Sequence, residues 1–282
     1  MASILTLKRR IKTAGNVSKT TRAMQMIAAS KLKKAQDSAV LSRPYVEKLG
    51  SLSKKLSTKI ENDNLHPYMR ENVLENNLYI VISPDKGLSG GLVSNLLREV
   101  YQTSKNKNDF FITIGKKAEG GVFSLGRDVL ATFPFGTSLP PFDAVYPITQ
   151  IVNDYFLNGK ISSVKIISTR FTSVFTQTPT VKTILPIKFE GEFKNGNNVT
   201  LFEPGINELL PSLLEHYLEM EIYQSLLENY ASEQAARMVA MKNATDNAKE
   251  IIKELKLEYN KIRQEKITNE ILDIIGGQFA HA

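Results

Sequence analysis

The chain has 282 residues, is 42% hydrophobic and carries a net charge of +7, which fits a globular protein of one large or two modest domains. It contains no cysteine, which excludes a disulfide framework and any thiolate metal site and leaves a cytosolic setting as the default. The positive balance permits acidic protein partners, nucleic acid or an anionic membrane surface without choosing among them.

The first dozen residues interleave Ile4, Leu5 and Leu7 with Lys8, Arg9, Arg10 and Lys12, so they lack the unbroken apolar stretch of a secretory signal. Ile4, Leu7, Ile11 and Ala14 instead fall at alternating steps of three and four, the seam of a coiled coil. After a polar patch the rhythm resumes at Met24, Ala28, Leu32, Ala35 and Ala39, with Lys and Arg in the outward positions. Pro44 removes a backbone donor and is expected to bend or interrupt the helix, although Tyr45, Leu49, Leu52 and Leu56 keep a helical period to Ser57. Residues 1–58 are the expected N-terminal coiled-coil helix.

Between residues 75 and 190 the texture changes to short apolar runs bounded by turn residues. Leu78–Ile82, Phe110–Ile114, Val164–Ser168 and Val181–Ile187 read as strands, separated by expected helices over Gly91–Thr103, Lys116–Leu125 and Ala144–Leu157. This alternation predicts a Rossmann-like, mostly parallel α/β domain covered on both faces. Lys188–Pro204, rich in Gly and Asn, is the connector to the last element.

That element, residues 206–282, keeps the three-four rhythm through Leu214, Tyr217, Leu218, Ile222, Leu226 and Tyr230, and later through Ala248, Ile252, Leu255, Tyr259 and Ile262. Pro211 suits its first turn. Leu209 to Phe279 as a helix would be roughly 105 Å long and Ile4 to Ser57 roughly 80 Å, too long for a compact domain. Their narrow seams predict an antiparallel coiled coil, a rod with the α/β domain at its base. Setting Ser57 beside Leu209 and counting equal rises puts Met24 opposite Lys242 and Ile4 beside Ile262. The residues beyond, with Ile271, Leu272, Ile274, Ile275 and Phe279, then form a lone apolar tip that something outside the chain should sheath. No run of roughly 18 apolar residues could span a bilayer.

Candidate chemistry is sparse. Asp85-Lys86-Gly87-Leu88-Ser89-Gly90-Gly91 follows a strand and opens a helix, where many α/β folds bind phosphate. It matches neither common phosphate-loop motif, and a glycine-turned connection explains it better than a nucleotide site. His66, His216 and His281 lack neighbouring carboxylates at ligand spacing, so no metal or cofactor is expected. Acidic pairs such as Glu219 and Glu221, or Glu254 and Glu258, read as solvated charges. The basic clusters Lys8-Arg9-Arg10 and Lys31-Leu32-Lys33-Lys34 lack the interleaved aromatics of a stacking platform, which favours an acidic protein partner over nucleic acid. In Ser232–Asn247 the alanines 235, 236, 240 and 244 keep the helix slim enough for close approach.

The run Ser232-Glu233-Gln234-Ala235-Ala236-Arg237-Met238-Val239-Ala240-Met241-Lys242-Asn243-Ala244-Thr245-Asp246-Asn247-Ala248 resembles the C-terminal signature of F-type ATP synthase gamma subunits. Thr20–Leu32, Asp85–Gly90, Tyr259–Gln264 and Ile267–Glu270 agree in place, so the resemblance covers essentially the whole chain. It implies a non-catalytic rotor shaft, present once per complex, that turns inside a ring of three alpha and three beta subunits, with its base beside epsilon on the membrane c-ring. It implies further that the shaft couples ion flow to ATP synthesis and lies peripherally at the cytoplasmic face of a bacterial plasma membrane, or at the matrix side of a mitochondrial one. By the family pattern Arg263 and Gln264 would contact a beta loop, and Met24 would lie near Lys242 where shaft meets bearing. Arg9, Arg10, Lys33, Ile274 and Ile275 would also face the ring, and Phe202, Glu203 and Pro204 the epsilon and c-ring base. Asn243 departs from the usual alanine, and the cysteine-bearing insert of chloroplast forms is absent. Two other readings compete: a basic coiled-coil adaptor for nucleic acid or a membrane surface, and an enzyme using the Asp85–Gly91 turn.

Overall fold

The computed structural model describes residues 4–57, 66–74, 76–188, 203 and 205–279, with the helix path alone at 207 and 273–279. Residue contacts divide the chain into two compact units, one of Ala29–Arg237 and one of Met1–Ala28 with Met238–Ala282. Two long helices, α1 over Ile4–Ser57 and α5 over Ile206–Phe279, contribute to both.

The larger unit holds a sheet of five strands among the described residues: β1 Asn77–Ile82, β2 Phe110–Ile114, β3 Asp128–Phe133, β4 Ser163–Phe171 and β5 Gln177–Leu185. Helices α2 Leu92–Thr103, α3 Lys116–Ser124 and α4 Tyr146–Leu157 connect them. The spatial order is β3-β2-β1-β4-β5, with β1 parallel to β2 and β4, β3 parallel to β2, and β5 antiparallel to β4. The sheet is mostly parallel, as the alternation of strands and helices predicts. Strand β3 was not anticipated: Asp128-Val129-Leu130-Ala131-Thr132-Phe133 is a short edge strand whose apolar residues are only half-buried, so its sequence shows no core-strand run.

One face of the sheet buries Tyr79, Val81, Phe111 and Ile167 against Leu96 and Val100 of α2 and Ala118 and Val122 of α3. The Tyr79 and Phe111 rings stack with centroids 5.3 Å apart. Leu78, Ile80 and Ile82, of opposite parity and so directed to the other face, are fully buried as well. Burial on both faces is what turns these strands into near-continuous apolar runs.

In the same unit α1 and α5 run antiparallel. Ser42 Oγ donates to Gln224 Oε1 at 2.5 Å, and Gly50, which follows Ser42 on α1, lies against the ring of Tyr217, which precedes Gln224 on α5. Pro44 does not interrupt α1. It and Val40, whose carbonyl loses its donor, lie on the exposed side, while buried Ala39, Val46 and Leu49 hold the opposite side. The seam beyond Pro44 is therefore Val46, Leu49, Ser53 and Leu56, whereas the expected Leu52 and Tyr45 lie at its exposed margin, Tyr45 against His216 of α5. Pro211 is likewise not in the first turn of α5. The helix starts at Ile206, with Glu208 and Leu209 N–H groups on the Gly205 carbonyl, and Pro211 sits in the second turn.

The smaller unit is built from the first part of α1 and the last part of α5. Leu7 is fully buried and Ile4, Ile11, Ala14 and Thr21 half-buried, facing a stripe of Met241, Thr245, Ala248, Ile252, Leu255, Tyr259 and Ile262 on α5. Thr21 and Thr245 hydroxyls meet at 2.7 Å, the level at which the sequence register sets Met24 opposite Lys242. Past Ile262 every residue from Arg263 to Leu272 is exposed.

Candidate functional site

Open parallel sheets of this kind bind ligands in the crevice beyond the carboxyl ends of the strands, where the strand order reverses. Here that point lies between β1 and β4, because β1 leads outward to β2 and β3 while β4 leads to β5. The residues that would receive a ligand there are engaged by the chain itself.

At the end of β1 the chain turns through Leu88 at φ +66° and Gly90 at φ +58° before α2. Asp85 does not face outward to a ligand. Its carboxylate accepts from the N–H groups of Lys116 at 3.0 Å and Gly136 at 2.8 Å. Ser83 Oγ accepts from Ala118 N–H, and the Pro84 carbonyl accepts from Lys117 N–H. The first three N–H groups of α3, whose helix dipole would otherwise favour an anion, are thus satisfied internally. Gly115 makes the approach possible: it has φ +95°, and a Cβ there would lie 2.0 Å from the Ser83 carbonyl oxygen.

Helix α5 closes the crevice from the other side. Asn229 Oδ1 accepts from the N–H of Thr169 on β4 at 3.1 Å, and Ser232 Oγ donates to the Thr169 carbonyl at 2.9 Å. One turn on, Arg237 donates to the carbonyls of Lys86 and Gly87 and pairs with Glu233 at 2.6 Å. Glu233 is buried, and desolvation raises its carboxyl above the usual carboxylate range against the opposing pull of Arg237. The Thr137 carbonyl receives Lys31 Nζ at 2.5 Å and the Tyr230 hydroxyl at 3.2 Å. These contacts fill the usual nucleotide crevice with side chains from α5, which removes the geometric basis for an enzyme at the Asp85–Gly91 turn.

Sequence reasoning missed this joint. It took Ser232–Asn247 as a stripe of alanines, but the polar members Ser232, Glu233 and Arg237 form the contacts named above. The signal present was a cluster of polar residues on a helix whose apolar residues also fall on every side. The expectation for Glu219 and Glu221 also needs correction. Glu221 is buried and ion-paired with Lys182, and Glu219 is half-buried beside His216 at 3.4 Å. Glu254 and Glu258 are exposed as expected.

The residues expected to meet partners are arranged differently. In the smaller unit Arg9, Arg10, Lys242, Arg263 and Gln264 are exposed, and Met24 is 38% exposed, so it lies outside the seam to which its spacing assigned it. Thr21 and Gln25 take the half-buried positions on either side. In the larger unit Lys33 is exposed, and so is Glu203. Phe202 and Pro204 fall outside the described residues, as do the side chains of Ile274 and Ile275. Among the described residues no helix is long and apolar enough to cross a membrane, and no group of three or more His, Asp or Glu could hold a metal ion.

The family model described as ATP synthase matches residues 3–280. A gamma chain of that enzyme from Dehalococcoides mccartyi is 40% identical over 286 residues, covering 100% of both chains. The chain belongs to the ATP synthase gamma family. A gamma chain from Legionella pneumophila is 37% identical, over 99% of this chain and 100% of its own. Among solved structures, the rotor of the Euglena gracilis mitochondrial ATP synthase shares the fold of this gamma-family chain with a TM-score of 0.70. It has 18% identity and covers 94% of this chain and 98% of its own. The central stalk and c-ring structure of the Tetrahymena thermophila mitochondrial enzyme gives 0.61 at 22% identity, covering 80% and 99%. Membership makes the chain a non-catalytic central-stalk subunit of the peripheral F1 sector and leaves the adaptor reading without support.

Proposed function

We propose that the chain is the rotor shaft whose tip turns inside a ring of three alpha and three beta subunits, one copy per complex, while its other end rests with epsilon on the membrane c-ring. On this reading it works at the cytoplasmic face of a bacterial plasma membrane, or at the matrix side of a mitochondrial inner membrane. The observation that supports it most is the stretch Arg263–Leu272. This is a regular helix with every side chain exposed, including Ile267 at 47% and Leu272 at 59%. A solitary solvated helix gains little from its own hydrogen bonds, so apolar residues on it are best explained by a socket that other subunits supply.

The mechanism needs stiffness and asymmetry rather than catalytic groups. Each beta subunit meets a different face of the shaft, and each 1.4 kcal/mol of differential contact shifts its nucleotide affinity about tenfold. Arg9, Arg10 and Lys33, exposed and cationic, would attract acidic lever loops, while Met24, Lys242, Arg263, Gln264, Ile274 and Ile275 would form the bearing and catch. Phe202, Glu203 and Pro204 would face epsilon and the c-ring. Truncation after Ile262 is the test. The shortened chain should fold and assemble but transmit less torque, seen as weakened coupling of ATP hydrolysis to ion pumping in the reassembled complex. Full coupling would defeat the role given to the tip.

A further inference from the structure

The α5–β4 joint contains an unresolved polar balance. Thr169 Oγ1, Asn229 Nδ2 and Glu233 Oε2 are all buried without a hydrogen-bond partner. The three residues are 1%, 0% and 4% exposed. All three residues belong to the α5–β4 joint. Asn229 and Glu233 are four residues apart on α5, hence neighbours on one face, and Thr169 is tied to α5 by its N–H on Asn229 and its carbonyl on Ser232.

Turning the Asn229 amide over does not help. Its oxygen must face the Thr169 N–H, a donor that cannot be reversed, so the NH2 group must face the orphaned side. Glu233 Oε1 is held by Arg237, so Oε2 cannot turn away without breaking an ion pair. The spot therefore offers one fixed donor group, one fixed acceptor and one hydroxyl that can be either.

That set selects its occupant. A metal cation would meet the hydrogens of Asn229 Nδ2, and an anion would meet the Glu233 carboxylate. Water accepts from the amide, donates to the carboxylate, and completes its third bond with the hydroxyl in either sense. About three bonds to otherwise orphaned groups is the usual complement of an internal water, and each orphan left bare would be costly. We infer that a single ordered water molecule is built into the α5–β4 joint, held by Asn229, Glu233 and Thr169, as the one ligand left in a crevice that α5 otherwise fills.

The test is a crystal structure of the full chain, or of the assembled complex, at a resolution that shows ordered solvent. One density peak is expected within about 2.7–3.2 Å of all three atoms, unchanged when crystals are soaked in rubidium or thallium salts. An anomalous peak at the site would make the occupant a cation and overturn the inference. So would a dry site in which Glu233 Oε2 bonds directly to Thr169 Oγ1. A solution measurement stands independently of crystals: the Asn229 side-chain amide, assigned by its loss in Asn229→Leu, should show a cross-relaxation peak to long-lived water. Its absence would also overturn the inference.

Discussion

Helix α5 experiences two environments along its length. In the larger unit, from His216 to Arg237, not one residue is exposed, although the stretch includes Glu221, Gln224, Asn229, Ser232, Glu233 and Gln234. In the smaller unit, from Lys242 to Ile262, a single stripe is covered and all else faces water. A helix buried all round needs a partner for each of its polar groups, so its sequence encodes specific contacts. A helix with one seam needs only periodicity. The first stretch is therefore sensitive to single substitutions, and the second tolerates them.

The largest expected effect is at the buried ion pair. Arg237→Ala removes the cation that opposes desolvation at the buried Glu233 carboxyl and should lower the unfolding free energy of the larger unit by about 3–5 kcal/mol. Urea denaturation followed by far-ultraviolet circular dichroism measures it. A loss below about 1 kcal/mol, the range of a solvated surface pair, would mean that bulk solvent screens the Arg237–Glu233 pair and that the contrast between the two stretches is overstated.

Next is a matched pair of truncations on the same helix. Leu226, at 2% exposure, should cost about 2–5 kcal/mol as Leu226→Ala, since the packed surroundings cannot collapse into the void. Leu255, half-exposed in the seam, should cost about half as much or less as Leu255→Ala, because less of it leaves water on folding. Equal losses by the same denaturation assay would break the comparison.

These contrasts also explain what could be read from the sequence. The stripe Ala248, Ile252, Leu255, Tyr259, Ile262 was legible because periodicity is the only information that part of α5 carries, and the covered positions fall on those residues. The strands β1 and β2 were legible as apolar runs. The joint around Asn229 and Glu233 was not, because a buried polar contact pairs residues such as Thr169 and Asn229 that are 60 positions apart, and local pattern holds no record of the partner. Met24 was assigned to the seam on spacing alone, whereas the polar Thr21 and Gln25 take that face. Spacing identifies a helical face, but the facing surface decides which residues cover it.

Burial also predicts a dependence on alkaline pH. The hydroxyls of Tyr68 and Tyr79 are pushed up to about 12 from the ordinary 10.0, in both cases chiefly by desolvation. A raised acid keeps its proton in the folded state after the unfolded chain has lost it. Stability should therefore be whole below pH 10 and fall as pH rises from there to about 12. Tyr79→Phe removes one such group and should flatten the decline, measured by urea midpoints across that window. An unchanged slope would show that the Tyr79 hydroxyl, which donates to the Thr103 carbonyl at 3.3 Å, is hydrated.

The smallest effect tests a polar contact that fixes level in the smaller unit. Thr245 Oγ1 donates to the Met241 carbonyl at 2.8 Å, so the proton in the 2.7 Å contact between the two hydroxyls belongs to Thr21. Thr245→Val deprives Thr21 of that acceptor, but Thr21 still reaches the Val17 and Ser18 carbonyls at 3.0 and 3.2 Å. Thr21→Val leaves Thr245 bonded to Met241. Each single change should therefore cost no more than about 1 kcal/mol, and the double-mutant coupling should be about 0.5–1 kcal/mol, the net worth of one hydrogen bond. A coupling of zero would mean that α1 and α5 do not meet at this level, and the placement of Met24 opposite Lys242 would lose its structural support.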